Sequence, residues 1–292
     1  MMFKTVFIFV VTCIICDADQ SEMLPRVRKG HTTTIDQYPF VATIIVKTSG
    51  KWSPFCLGTI ITPFKVLTSA TCIKSFTLTT AEIGDIIVRA NTEFWDCSCG
   101  RARDHTLAGY VIHERYEVYI IREIDGMILR ENDVGIISVI ERFEGVFEQP
   151  LSYKLSHLYW KSRQYETRSL GWSNLTRGQK MKISKQLKVG TTVWFTWERC
   201  NQIYGDLLKK HRLDKIFCSS KPRDYDVGPC KHDVGGPILG VVDLQFKYLI
   251  GMESSSHFCW EKRPVLFTNI TYYVQWIDAK VEGDPDPSNW FN

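Results

Sequence analysis

Short apolar segments alternate with turn residues along most of the chain. The segments are rich in β-branched and aromatic side chains, which favours strands over helices. The clearest of them are residues 40–46, 59–61, 85–90, 134–139, 191–195, 247–250 and 265–268. The pattern is typical of an all-β protein, and closed barrels are one arrangement that leaves so many short strands without exposed edges.

One segment near the C-terminus predicts a helix instead. In residues 272–279 the apolar side chains Tyr273, Trp276 and Ile277 share one helical face. The Gly-Asp-Pro-Asp-Pro sequence at residues 283–287 cannot continue a helix. We therefore expect the helix to end before a C-terminal tail.

The N-terminus carries a pattern of a different kind. Lys4 precedes an apolar run at residues 5–16, which is shorter than the roughly 20 residues of a membrane span. This arrangement is typical of a secretory signal peptide cut after Cys16 or Ala18. An amphipathic anchor or a buried strand is the alternative. The expected location of the protein is extracellular.

Composition and charge exclude some classes of protein and of partner. The 292 residues are 44% hydrophobic and 23% charged, which is ample material for a folded core and excludes intrinsic disorder. Lys and Arg exceed Asp and Glu by 36 − 32 = 4, and no run of five like charges occurs. DNA and RNA are therefore not expected partners.

The cysteine count agrees with secretion. Of ten cysteines, Cys13 and Cys16 lie in the signal segment, so an even number of eight remains for a disulfide framework. The Asn-x-Ser/Thr sequons at Asn174 and Asn269 are candidate glycosylation sites in the same compartment.

Three segments resemble the chymotrypsin-like serine proteases of the trypsin family. Residues 55–72 resemble the segment in which two cysteines bracket a strand pair and the catalytic His precedes the second. Cys-Lys-His-Asp-Val-Gly-Gly-Pro at 230–237 is similar to the nucleophile loop Cys-x-Gly-Asp-Ser-Gly-Gly-Pro, and Asn-Asp-Val-Gly-Ile at 132–136 resembles the step that holds the catalytic Asp. Further landmarks follow in the family's order: Gly171-Trp172, Cys200, Cys218, Leu249-Ile250-Gly251, Cys259 and residues 264–268.

The resemblance runs from about Val27 to Ile277 and implies two six-stranded antiparallel β-barrels with a C-terminal helix. The implied organisation is a signal peptide at 1–16, a pro-segment at 17–26, a trypsin-like domain at 27–280 and a tail at 281–292. The domain comprises an N-terminal barrel at about 27–150, a C-terminal barrel at about 151–270 and a helix at about 272–279. The boundary between the barrels is placed in the weakly patterned stretch 148–163.

The catalytic triad implied by the resemblance is incomplete. Its carboxylate is present as Asp133, but Thr71 stands where the family has His and Val234 where it has Ser. Thr has no group that titrates near neutral pH, and Val has no nucleophilic atom. We therefore expect no triad catalysis, and a buried Asp133 that accepts hydrogen bonds from the Thr71 and Ser254 hydroxyls.

The neighbouring positions implied by the resemblance are also altered. His232 replaces the glycine whose N–H belongs to the oxyanion hole. In the specificity pocket Gly228 leaves the floor without an acid, Ser255 and Ser256 replace a rim Trp and a wall Gly, and Val265 replaces a second wall Gly. A pocket plugged by Val265 is not expected to admit long side chains.

Activation is the next feature that the resemblance implies. Arg26-Val27 resembles the cleavage site of the family, and Asp233 is the acid that would receive the new N-terminus. The following Arg28-Lys29-Gly30 departs from the family's Val-Gly-Gly, and cleavage within the basic pair is the alternative. The hypothesis is that cleavage after Arg26 switches loop conformation without producing a catalyst.

The resemblance pairs six cysteines as Cys56–Cys72, Cys200–Cys218 and Cys230–Cys259. It leaves Cys97 and Cys99, for which a mutual bridge is the simplest expectation. The alternatives are an intermolecular disulfide and a metal site with His105 and His113. The latter matches no strong zinc signature, so no metal or other cofactor is expected.

Three functions follow from these residues. The first is a secreted, inactive protease homologue that binds a protein, such as an active protease or its substrate, as cofactor or regulator. The second is a hydrolase with a substitute Ser-His pair drawn from His232, His257 and residues 254–256, and the third a structural or adhesive protein. Four tryptophans in loop-like or terminal segments are expected to be exposed, and their clustering would indicate a binding face: Trp52, Trp95, Trp260 and Trp290.

Overall fold

The computed structural model describes residues 30–79, 82–96, 101–121, 127–154, 166–174, 182–195, 197–204, 214–220, 233–242, 246–254 and 264–282. Its strands are β1 (His31–Thr32), β2 (Val41–Thr48), β3 (Lys51–Thr62), β4 (Lys65–Thr68), β5 (Ile86–Ala90), β6 (Arg103–Ile112), β7 (Glu117–Ile121), β8 (Met127–Glu131), β9 (Gly135–Val139), β10 (Glu166–Asn174), β11 (Lys182–Trp194), β12 (Ile216–Ser220), β13 (Pro237–Val242), β14 (Phe246–Glu253) and β15 (Val265–Asn269). Its α-helices are α1 (Ala70–Thr79), α2 (Trp197–Tyr204) and α3 (Val274–Val281).

The first barrel closes in the order β2-β3-β4-β9-β6-β5, with all neighbours antiparallel. Ala42, Ile44 and Val46 alternate along β2 and fill its interior, as expected where successive side chains point to opposite faces. Phe76 of α1 packs against the same core.

The second barrel runs in the order β11-β10-β13-β14-β15-β12 and closes where Val193 of β11 pairs with Ser220 of β12. The short strand β1 pairs with β11 outside this ring, so the N-terminal segment belongs to the sheet of the second barrel. The predicted all-β architecture of two six-stranded antiparallel barrels is confirmed.

A large apolar core lies between the two barrels. It joins Leu57 of β3, Trp172 of β10 and Leu239 of β13 with Tyr273 and Ile277 at the C-terminal helix, and all five side chains are buried. The predicted helix is therefore confirmed, shifted by two residues to Val274–Val281. Because this core contains side chains of both barrels, it packs the two barrels against each other.

Two helices and one hairpin were not predicted from the periodicity. Helix α1 begins where the Ser69 hydroxyl accepts the Cys72 N–H at 2.9 Å, the standard N-cap bond. Strands β7 and β8 form a separate antiparallel ribbon. Leu129 of this ribbon is buried against Phe195 and Cys218 of the second barrel, so the ribbon reaches across from one barrel to the other.

The disulfides Cys56–Cys72 and Cys200–Cys218 are present. The cysteines of the other two predicted bridges, Cys230, Cys259, Cys97 and Cys99, lie outside the described residues. Within the described ranges, no helix is long and apolar enough to cross a membrane.

One histidine of the alternative metal site, His105, is already hydrogen-bonded through both ring nitrogens. His105 is buried, with Nδ1 3.0 Å from the Glu141 carbonyl oxygen and Nε2 3.0 Å from Glu148 Oε1. Both ring nitrogens therefore have protein partners. His113 packs instead on Trp276, with ring centroids 5.2 Å apart.

Candidate functional site

Asp133 lies fully buried where the barrels meet, in the turn between β8 and β9. Its Oδ1 accepts the Thr71 main-chain N–H at 2.7 Å, and its Oδ2 accepts the hydroxyls of Thr71 at 2.9 Å and Ser254 at 2.6 Å. The Thr268 hydroxyl donates to the Asp133 carbonyl at 3.1 Å. The expected hydroxyl bonds are thus present, and they join residues of both barrels.

Tyr116 and Arg130 extend this network. The Tyr116 hydroxyl lies 2.9 Å from Thr71 Oγ1, and the Arg130 side chain contacts Tyr116 and donates to the Ser254 carbonyl at 3.3 Å. Because Thr71 gives its only proton to Asp133, it must accept the proton of Tyr116. The hydrogen bonds therefore run in one direction, from Arg130 to Asp133.

Burial dominates the electrostatics of these groups. It raises the pKa of Asp133, and hydrogen bonds from Ser254 and Thr71 oppose that rise. Burial and the Asp133 charge also raise the pKa of Tyr116 above its usual value. The hydroxyls of Thr71, Ser254 and Thr268 each donate to an oxygen of Asp133, so the arrangement is suited to holding a carboxyl group in place.

Val234 occupies a tightly held loop beside this network. Its side chain packs on the core of the first barrel, and its carbonyl accepts the Leu57 N–H at 2.9 Å. The next residue, Gly235, has φ +82°, and a Cβ there would stand 2.3 Å from the Leu57 carbonyl oxygen. Only glycine fits this turn.

Asp233 is also fully buried, and its Oδ1 accepts the Trp172 N–H at 2.9 Å. A Cβ on Gly171 would lie 2.2 Å from the same oxygen, so the carboxylate sits directly against the backbone of β10. The proposed ion pair with Val27 stays a prediction, because residues 1–29 lie outside the described ranges.

Glu253 brings a second buried acid to this loop. Its main chain pairs with the loop in both directions, accepting the Gly235 N–H and donating to the Gly236 carbonyl, each at 2.9 Å. Its side chain is fully buried, and neither carboxyl oxygen has a hydrogen-bond partner among the described residues. Burial and the negative charge of Asp233 raise the pKa of Glu253 well above its usual range.

We expect Glu253→Gln to remove a pH-dependent loss of stability. Below the usual pKa of about 4.5, Glu253 is neutral in the folded and the unfolded chain. As the pH rises from there towards the raised folded pKa, the unfolded chain ionises first, and the native state loses up to about 1.4 kcal/mol per pH unit. Gln cannot ionise, so the variant should not show this loss. Urea unfolding at pH 5, 6, 7 and 8 should show that the free energy of unfolding of the variant increases relative to that of the native protein as the pH rises.

The matched control is Glu82→Gln, a change at an exposed glutamate. It should leave the pH dependence of stability parallel to that of the native protein. Parallel curves for Glu253→Gln as well would contradict a neutral, buried Glu253.

Several predicted site residues are not described: the activation residues Arg26 and Val27, the pocket residues Gly228, Ser255 and Ser256, and the oxyanion residue His232. Val265 is described, at the start of β15, where it packs beside the stacked rings of Trp194 and Phe217. Whether it plugs a pocket stays a prediction.

The two sequons also remain predictions. The Asn269 side-chain nitrogen donates to the Asp214 carbonyl at 2.6 Å, and its oxygen accepts the Thr271 hydroxyl at 2.7 Å. Asn174 ends β10, and its side chain is not described.

Three residues of the site were missed by the sequence analysis: Tyr116, Arg130 and Glu253. The sequence shows only that Glu253 directly follows the apolar run at residues 248–252, which does not indicate burial of a charged residue. Tyr116 and Arg130 lie at the same end of the β7–β8 ribbon, and no local sequence pattern marks either of them as a site residue. Their meeting depends on the ribbon's register, in which Glu117 pairs with Glu131.

Comparison with known proteins agrees with this architecture. The chain matches the family model described as Trypsin over residues 27–277. It is 25% identical over 264 residues to a venom serine protease of Polistes dominula, covering 89% of this chain and 86% of the relative. It is 27% identical to phenoloxidase-activating factor 3 of Holotrichia diomphalia (88% and 72% covered) and 22% identical to chymotrypsin-C of Bos taurus (90% and 91%). The chain therefore belongs to the trypsin family of chymotrypsin-like serine proteases.

Proposed function

We propose that this chain is a secreted, catalytically inactive member of the trypsin family that acts by binding another protein. The observation that carries the proposal is the hydrogen-bonding of Asp133. The family's chemistry needs an imidazole between the carboxylate and a hydroxyl nucleophile. Here the Thr71 hydroxyl bonds the carboxylate at 2.9 Å, and the candidate nucleophile position carries Val234.

The rigidity of the site supports a binding role. Asp133 joins the barrels through Thr71, Ser254 and Thr268, and Arg130 adds a bond from the β7–β8 ribbon to the Ser254 carbonyl. These bonds connect the two barrels, and a binding surface built on both barrels would then lose little entropy when a partner binds. In this proposal the hydrogen bonds of Asp133 stabilise the fold for binding, and this role does not require catalytic groups.

The nature of the partner is inferred from relatives. Phenoloxidase-activating factor 3 and the phenoloxidase-activating enzyme 1 of Spodoptera litura are both named for activating another enzyme. By analogy, the partner of this chain is an active protease or its substrate, and the chain acts as a cofactor or regulator of that reaction. Its location is extracellular, with Cys230–Cys259 and a Cys97–Cys99 bridge completing the disulfides.

Covalent labelling tests the proposal. We expect no adduct when the secreted protein, trimmed to a Val27 N-terminus, is incubated with a serine-directed fluorophosphonate and measured by intact mass. Bovine chymotrypsin-C serves as the positive control. Peptide hydrolysis should be at least about 10³-fold below that enzyme, because triad residues act as a unit.

Matched variants locate the cause of the inactivity. Val234→Ser alone should stay unlabelled because no imidazole activates the hydroxyl. The double variant Thr71→His/Val234→Ser tests whether restoring these two residues is sufficient for labelling by the fluorophosphonate. An adduct on any residue of the native chain contradicts the proposal and identifies a different nucleophile.

A further inference from the structure

Two of the tryptophans expected to be exposed meet at one pocket on the first barrel. Trp52 and Trp95 line it together with Ile45, Arg89, Asp96 and Asp104, and its volume is about 450 Å³. The expected exposure is confirmed for Trp52, which is 43% exposed. Trp95 is instead half-buried, because it packs against the core between the barrels, and Trp260 and Trp290 lie outside the described residues. The pocket shares no residue with the Asp133 network, and its size and mixed lining are those of a small-molecule site.

The walls of the pocket are held by hydrogen bonds. Arg89 donates from Nε and Nη2 to the two carboxylate oxygens of Asp104, at 2.6 and 2.8 Å, and from Nη1 to the Trp95 carbonyl at 2.7 Å. The Trp95 indole N–H donates to the Ser184 carbonyl at 2.8 Å. The indole ring of Trp95 is therefore fixed before any ligand binds, which lowers the entropic cost of binding.

The charges around the pocket are balanced. Each nearby cation lies beside a carboxylate: Arg89 at 2.6 Å from Asp104, Lys185 at 3.6 Å from Asp96, and Lys47 at 3.8 Å from Asp85. A charged ligand would have to compete with one of these pairs. A neutral ligand would leave these pairs intact, and it could hydrogen-bond to oxygens of Asp104, whose side chain is 44% exposed. Because Lys47 Nζ lies 5.7 Å from the centroid of the Trp52 ring, the ligand would pack on the face of Trp52 opposite to Lys47.

We propose that this pocket binds a neutral saccharide. The apolar C–H face of a pyranose ring packs on an indole ring, while its hydroxyls both donate and accept hydrogen bonds. The Trp52–Trp95 pocket offers these two kinds of contact side by side. This gives the chain a ligand site separate from its proposed protein-binding role.

The test uses the full secreted chain and three neutral tetrasaccharides, namely laminaritetraose, cellotetraose and chitotetraose, in calorimetric titrations. We expect at least one of them to bind, and Trp52→Ala to weaken that binding at least tenfold. Trp52→Phe should retain part of the affinity because the flat ring remains. Ile120→Ala removes a side chain that is 68% exposed on the β7–β8 ribbon, and this control should leave the affinity unchanged.

The competing ligand is a cation, because tryptophan rings beside carboxylates also bind ammonium groups. Tetramethylammonium chloride and a tetra-arginine peptide are therefore titrated in parallel. Failure of all three saccharides to bind overturns the proposal, as does saccharide binding that Trp52→Ala does not change. Trp52-dependent binding of the cations in place of the saccharides also overturns it.

Discussion

Replacement of Gly235 by alanine is expected to lower the free energy of unfolding by about 2–5 kcal/mol. The φ of +82° at this residue costs a non-glycine residue roughly 1–2 kcal/mol. The added Cβ would also lie 2.3 Å from both the Leu57 carbonyl oxygen and Thr68 Oγ1, and relieving such overpacking costs typically 1–3 kcal/mol. Urea unfolding of the purified variant measures the loss.

Two other glycines separate these causes. Gly50 has φ +77°, and a Cβ added there would have no neighbour within 4 Å, so Gly50→Ala should show the conformational cost alone, about 1–2 kcal/mol. Gly109 has neither a positive φ nor a neighbour within 4 Å, and Gly109→Ala should change stability little. If Gly235→Ala loses no more than Gly50→Ala, the contacts with Leu57 and Thr68 relax at no cost and the loop is not tightly held.

The barrels were predictable because their signals are local and ordered along the chain. The segment at residues 265–268 became β15 (Val265–Asn269), and the cysteine landmarks led to the two pairs that the structure forms. The β-branched patterning predicts which segments are strands, but the arrangement of these strands in two barrels was implied only by the resemblance. Periodicity alone does not determine how strands pack.

Helix α1 shows why some elements escaped prediction. Its sequence Ala-Thr-Cys-Ile-Lys-Ser-Phe-Thr-Leu-Thr contains three threonines, which have low helix propensity. The helix is stabilised by burial of Cys72, Ile73 and Phe76 against the first barrel. Tertiary packing therefore outweighs propensity, and a single-sequence pattern does not carry that information.

The candidate site was predictable only in part. Thr71, Asp133 and Ser254 were expected to lie together because the resemblance fixes their places in the fold. Glu253 is different, since its carboxyl group enters the interior without a hydrogen bond among the described residues. A buried, unpartnered acid goes against the usual rule for polar groups, and that rule would have assigned Glu253 to the surface.

Removal of the Asp133 side chain is expected to cost about 3–5 kcal/mol of unfolding free energy. Asp133→Ala would leave the Thr71 N–H and the Thr71 and Ser254 hydroxyls without their acceptor at a fully buried position. Each unsatisfied buried group costs roughly 1–3 kcal/mol and the cavity adds to that cost, whereas removing a carboxyl group that is itself costly to bury offsets part of it. Asp133→Asn keeps the volume and one acceptor, so a smaller loss is expected.

A double-mutant cycle shows whether Asp133 connects the barrels or only fills space. Ser254→Ala removes a donor from the second barrel, and the coupling energy between Asp133→Asn and Ser254→Ala should be about 0.5–3 kcal/mol. Asp36→Ala, at an exposed acid between β1 and β2, should change stability by less than about 0.5 kcal/mol. A coupling near zero would mean that the 2.6 Å bond between Ser254 and Asp133 contributes little. The retained carboxyl group would then need an explanation other than joining the two barrels. A clear coupling would instead give the buried carboxyl group a structural role, because it would show that Asp133 joins the two barrels.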